Sequence, residues 1–268
     1  TAAETGYEIT SGELAEGDKE TVTLTGERTL AGSADAVVSS VVIKKGDTDV
    51  TDNYDVTKEK GTLTITDRTN KYEITLVANS ATATYDGKAH EAAGVKTDKF
   101  TFDGVEYTVS NFTTSDPSEV NQGTYANNIT SNGYVVTDPA GNDVSEQFAV
   151  TPQNGSLVIS KRSITVTAKG GSKEYDGSAI TAAETGYEIT SGELAEGDKE
   201  TVVLSGSQKL VGSSPANVES VTIKKGETDV TDNYTITPVN GTLTITNRDA
   251  EYEITLVANS ATATYDGK

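Results

Sequence analysis

The chain has 268 residues, no Cys, no Met and a formal net charge of −20, so neither a disulfide framework nor a thiolate metal site is available to it. The acid is spread, with −7, −5 and −8 over residues 1–88, 89–178 and 179–268; such a surface repels phosphate backbones and anionic lipid and argues against nucleic acid as a partner. No apolar run approaches the roughly 18 residues that span a bilayer, which argues against direct membrane insertion. The acidity serves solubility and mutual repulsion between chains, and a sequence opening Thr1-Ala2-Ala3 reads as an excerpt from a longer polypeptide.

A single tripeptide punctuates the chain. Tyr85-Asp86-Gly87, Tyr175-Asp176-Gly177 and Tyr265-Asp266-Gly267 are spaced by 90 residues, the signature of a repeat architecture. Residues 1–88 and 181–268 match at 67 of 88 positions without a gap, and their first twenty are identical. The middle block is a diverged cousin whose echo lies in Phe148–Ile159 against Tyr234–Ile245. Two frames are open. In one, residues 1–70 are a repeat lacking its first strand, 71–161 a repeat of divergent type, 162–248 a whole repeat, and 249–268 the first strand of a following repeat. In the other, units run 1–88, 89–178 and 179–268. The first frame predicts head-to-tail association of identical chains by strand addition, because one molecule's terminal strand is what another's first unit lacks.

The elements follow from period-two alternation. In the first unit the inward positions are Val22, Leu24, Val41, Ile43, Tyr54, Val56, Leu63 and Ile65. The middle unit reaches the same scheme with Ile74-Thr75-Leu76, Phe100-Thr101-Phe102, Val105–Val109, Val135-Val136, Phe148 and Val150, and Leu157 and Ile159. The third runs Ile164-Thr165-Val166, Tyr187-Glu188-Ile189, Val202 and Leu204, Val221 and Ile223, Tyr234 and Ile236, then Leu243 and Ile245. Thr fills most outward positions, as suits a pleated surface with one wet face. Turns are expected at Ser205-Gly206, Gly212, Lys225-Gly226 and Asn240-Gly241, the last as a hairpin, since both residues tolerate positive φ. No stretch keeps a helical period over ten residues. The pattern predicts an all-β chain of tandem immunoglobulin-like β-sandwich repeats of about 90 residues. The alternative is a β-grasp-like unit with one short helix. Short linkers hold neighbours close, and a strand rise of roughly 3.3 Å per residue makes three units about 100 Å long.

Candidate sites are few. Asp47, Asp49 and Asp52, with counterparts Glu227, Asp229 and Asp232, offer hard oxygen ligands at Asp-x-Asp spacing that suit weak calcium binding, the one cofactor considered. The other reading is an Asx-capped turn leading into a strand. Tyr54, Phe148 and Tyr234 share one slot, which the Phe marks as core with a dispensable hydroxyl. In each Tyr-Asp-Gly, the ring is expected to pack beneath the turn while the Asp bonds the backbone and the Gly takes positive φ. Catalysis has no foundation: His90 is the sole His, so no repeated His-based site exists. A repeated Lys–Asn isopeptide bond fails likewise, because Lys173 has no counterpart at 81–84 and Asn53 and Asn233 become Gln147.

The order Ile-Thr-Val-Thr-Ala at 164–168, Tyr-Asp-Gly at 175–177, Asp-Asn-Tyr-Thr-Ile-Thr at 232–237 and Asn-Gly-Thr-Leu-Thr-Ile at 240–245 resembles the tandem YDG or MBG type repeats of large bacterial surface proteins. The resemblance covers essentially the whole chain, and the middle unit departs most from the pattern. It implies an extracellular, cell-surface or cell-wall-attached protein, anchored through parts of the parent outside this chain, whose repeats form a stalk or filament carrying an adhesive tip. The rival function is an adhesion module that binds host glycan or protein through repetition. Partners on this reading are neighbouring repeats, identical chains or host surface ligands; no binding residue carries over.

Overall fold

The computed structural model describes residues 1–267. The chain is all-β, with two four-residue helices and three single 3₁₀ turns among the strands of the described residues. It divides into two compact units. One comprises Thr1–Ala78, Gly94–Thr114 and Asn128–Asn154; the other comprises Asn79–Ala93, Ser115–Asn127 and the chain from Gly155 onward. The division falls inside the middle repeat, whose strands Tyr72–Val77 and Phe148–Gln153 belong to the first unit while Ala81–Thr84 and Gly155–Ser160 belong to the second.

The second unit is organised around the strand Arg162–Ala168. It pairs antiparallel with Tyr187–Ser191 on one edge and parallel with Tyr234–Val239 on the other. Flanked on both sides, its alternate residues Ile164, Val166 and Ala168 are at most 2% exposed. Each large aliphatic side chain so buried contributes about 1.5–3 kcal/mol. A second sheet runs Gly171–Glu174, Gly241–Thr246, Gly212–Lys225, Asp198–Ser205. Gly171–Glu174 joins Gly241–Thr246 in parallel, with Gly171 opposite Leu243. Ile223, Ile164, Val166 and Tyr234 share one core cluster; Leu243, Ala168 and Ala216 share a smaller one. The helix Ala182–Thr185 is held by a capping box in which the Thr181 amide donates to Glu184 and the Glu184 amide to Thr181 Oγ1.

Asn240-Gly241 is not a hairpin. Its flanking strands pair with different partners, so the dipeptide carries the chain from one sheet to the other, and Gly241 does not take positive φ. The glycine is required for a different reason: a Cβ there would lie 2.4 Å from Ala168 O and 2.8 Å from Gly170 N. Asn240 Oδ1 accepts from the Val218 amide at 3.3 Å, anchoring the corner.

In the first unit, Gly32–Lys45 pairs with Asp18–Thr25, Thr48–Asp49 and Gly61–Ile65. Tyr54 and Val56, expected on a strand, lie on none: the backbone at Tyr54 is extended, but 54–60 has no ladder partner. Tyr7–Ser11 is likewise outside any strand. Their counterparts, Tyr234–Val239 and Tyr187–Ser191, both pair with Arg162–Ala168, and among the described residues no strand lies alongside 7–11 or 54–60. The rest of this unit holds Tyr72–Val77 parallel to Phe148–Gln153 over a core of Ile74, Leu76, Val109, Val136 and Phe148.

Candidate functional site

The most developed polar constellation within the second unit is a socket closed by the first Tyr-Asp-Gly. Asp229 starts it: its Oδ1 accepts from the Thr231 amide at 2.9 Å, forming an Asx turn, and Thr231 Oγ1 accepts from the Ile223 amide at 2.9 Å. The 3₁₀ turn Thr231–Asn233 follows and delivers Asn233 and Tyr234 into the interior. Tyr234 Oη accepts from the Ala195 amide at 2.8 Å and donates to Asp198 Oδ2 at 2.7 Å. Tyr85 then enters edge-on, its ring centroid 5.5 Å from that of Tyr234 at 74°, and donates to the same Asp198 oxygen at 3.1 Å. A buried carboxylate bonded to two phenols is a high-stakes arrangement, stable only while its donors remain in place.

The backbone of the motif is gripped as well. Lys225 Nζ donates to Gly87 O at 2.8 Å, and a Cβ at Gly87 would lie 2.8 Å from that nitrogen. Gly87 has φ +77°, and Asp86 Oδ1 accepts from the Lys88 amide at 2.9 Å while standing 3.0 Å from His90 Nε2. The Lys88 amide above all, and then His90, hold the Asp86 carboxyl below the usual carboxylate range. Asn233 Oδ1 accepts from the Gln122 amide at 2.7 Å, and its Nδ2 donates to Asn121 Oδ1 at 3.0 Å. Burial, then the charge of Asp198, pushes the Tyr85 phenol up to about 12. Burial and the bond to Asp198 raise Tyr234 as well.

The three Tyr-Asp-Gly motifs share a turn and differ in surroundings. Gly177 and Gly267 have φ +82° and +78°. Asp176 Oδ1 accepts from the Ser178 amide and hydroxyl; these bonds first, and Lys173 after them, hold its carboxyl down at about 2. The Tyr85 ring joins the cluster with Ala92, Ala195, Val230 and Tyr234. Tyr175 is half-buried, and Tyr265 is 91% exposed.

The shared aromatic slot needs a finer account than the sequence offers. Phe148 replaces the hydroxyl's partners with rings, lying 4.8 Å from Tyr107 and 5.5 Å from Tyr72 and Phe102. In the other two repeats the hydroxyl is engaged. Tyr54 Oη accepts from the Ala15 amide at 2.9 Å and donates to Asp18 Oδ2 at 2.6 Å. The socket residue that sequence reasoning passed over is Asp198, with Asp18; the only available signal was an acid at the first position of an apolar strand.

Asp49 Oδ1 accepts from the Thr51 amide at 2.9 Å and the Thr51 hydroxyl at 2.6 Å, the corner seen at Asp229 and, with Ser145, at Asp143. These hydroxyl bonds, with the amides second, lower the pKa of all three. Among the described residues no three acidic or His side chains, Asp47, Asp49 and Asp52 included, form a metal-holding group. Lys173 Nζ donates to Ser178 Oγ at 2.7 Å and Ala179 O at 3.2 Å. No protein-family model matches the chain, and no curated protein is similar to it.

Proposed function

We propose that the chain is a structural spacer: tandem immunoglobulin-like β-sandwich repeats, of the kind resembling YDG or MBG repeats, that form a stalk or filament of a bacterial cell-surface protein and hold an adhesive region away from the cell. The function is mechanical and geometric rather than catalytic. The observation that carries it is the interlock within the second unit, where Tyr85 of one repeat is buried against Asp198 and Tyr234 of the next and Lys225 clasps Gly87. Such an interlock commits a buried polar cluster to joining neighbouring repeats. Small-angle scattering of the whole chain tests the reading, with an elongated particle expected. A collapsed particle, or binding of the chain to a glycan array or to mucin, overturns it in favour of an adhesion module.

A further inference from the structure

We infer that Asn132-Gly133, in the middle repeat, is a site of spontaneous covalent modification, at which the Gly133 nitrogen expels the side-chain amide of Asn132 as ammonia and water then leaves aspartate or isoaspartate in its place. The inference stands apart from the spacer reading, because it follows from a comparison of three identical dipeptides within one chain.

Asn-Gly occurs at 132–133, 154–155 and 240–241. The pair is reactive for a steric reason: Gly has no Cβ to shield the main-chain nitrogen as it closes on the preceding side chain. All three Asn residues are exposed, so exposure does not separate them. What separates them is how each carboxamide and each glycine is held.

Asn154 Oδ1 accepts from the Ile129 amide at 2.9 Å, and Gly155 begins a strand in which it lies opposite Asn127. Asn240 Oδ1 accepts from the Val218 amide at 3.3 Å, and Gly241 lies opposite Ala216. Around Gly241 there is no room for a new ring, since even a Cβ would lie 2.4 Å from Ala168 O and 2.8 Å from Gly170 N. In both pairs the carboxamide is pinned and the glycine is fixed in a ladder, so the reacting carbon and nitrogen stay apart until that ladder opens locally.

Asn132 differs on each count. Among the described residues its side chain has no hydrogen-bond partner. Gly133 is exposed, belongs to no strand and has φ +133°, and a Cβ on it would meet nothing within 4 Å. The restraint on its nitrogen is local: the Gly133 amide donates to Ser131 Oγ at 3.0 Å, within the same turn.

The chemistry needs water and no other reagent. The Gly133 nitrogen bonds to Asn132 Cγ, the Cγ–Nδ2 bond breaks, and the Gly133 proton leaves with Nδ2 as ammonia. Water opens the resulting imide at one carbonyl to give aspartate, or at the other to give isoaspartate, whose main chain runs through Cγ. The imide nitrogen carries no hydrogen, so the bond to Ser131 Oγ is lost at the first step. That bond is part of a small knot, in which Ser131 Oγ donates to Asn111 O at 2.6 Å and Asn111 Nδ2 donates to Gly133 O at 2.5 Å. The modification therefore adds a negative charge and loosens the turn beside the paired strands Thr113–Thr114 and Ile129–Thr130.

Timed incubation of the full chain at mildly alkaline pH, followed by peptide mapping with mass spectrometry, tests this. Asn132 is expected to convert first, with Asn154 and Asn240 still intact when most of Asn132 is gone. In denaturant, where the ladders and the bonds to the carboxamides are absent, all three are expected to convert at about equal rates. Asn132→Gln, whose longer side chain disfavours the ring, is expected to remove the more acidic species that grows on isoelectric focusing of the native chain. An unchanged Asn132, either of the other pairs converting as fast in the native chain, or the native order persisting in denaturant overturns the inference.

Discussion

The first and third repeats share most of their sequence and fold differently along two edges. Asp-Asn-Tyr leads into a six-residue strand, Tyr234–Val239, in one; in the other the same tripeptide leads into unpaired chain. Tyr7–Ser11 is identical in sequence to Tyr187–Ser191, yet only the latter is a strand. Strand formation here is a property of the neighbour. An edge becomes a ladder when a partner's N–H and C=O groups arrive, and intrinsic propensity does not substitute for them. The sockets differ in the same way. Ala195, Val230, Asn233 and Tyr234 are buried with Tyr85 in place, while their counterparts around Asp18 line an open cavity of about 540 Å³. There Lys45, the counterpart of Lys225, donates instead to Glu16 O at 3.1 Å and stands 3.8 Å from Asp18.

Four measurements bear on this comparison. The largest effect is expected from Tyr85→Ala, which empties a socket around a buried carboxylate; by analogy with other aromatic truncations it costs about 3–5 kcal/mol. Tyr265→Ala, at an exposed ring, changes stability by less than about 0.5 kcal/mol. Thermal unfolding of both variants checks the pair, and equal losses would break the distinction between the motifs. Next, Gly241→Ala forces a Cβ against backbone and is expected to cost about 3 kcal/mol, whereas Gly61→Ala stays within about 0.5 kcal/mol; denaturant titration with hydrogen exchange at Ile164–Ala168 reads both. Tyr85→Phe keeps the ring and removes one bond to a charged group, for a loss of about 1.5–3 kcal/mol. For the Tyr85 phenol the pH effect lies in alkaline solution. The Tyr85 phenol has a folded pKa of about 12, above its ordinary value of 10.0. Its contribution is whole below pH 10 and is lost as the pH rises towards 12, because the unfolded state releases its proton first. Ultraviolet titration of the phenols, with Tyr85→Phe as control, is expected to lose one late-ionising group.

Much of the strand inventory was legible from residues alone. Ile164, Val166, Leu243 and Ile245 alternate with Thr and are buried as that alternation requires. Phe148 identified its slot as core, and the Asx reading of Asp49 matches the bond it makes. Pairing was not legible, since period two says which face is buried but not which strand lies alongside. Asn240-Gly241 looked like a hairpin because Gly is needed for close backbone approach as well as for positive φ, and a sequence does not separate the two uses. The socket was invisible for a similar reason. Asp198 and Tyr85 are 113 residues apart, and only the fold makes a surface-type acid and a turn tyrosine into one buried group.

The parallel pairing of Arg162–Ala168 with Tyr234–Val239 has a consequence for how the repeat bears tension. Force entering the chain at Arg162 and leaving beyond Val239 pulls opposite ends of two strands that run the same way. Their six rungs, from Arg162 opposite Tyr234 to Thr167 opposite Val239, are then loaded together in shear. An antiparallel hairpin pulled at its open end surrenders its bonds one at a time, whereas this ladder must slide as a whole before any part of the repeat lengthens. The same geometry that makes the opening strand indispensable to the fold also makes it a mechanical clamp.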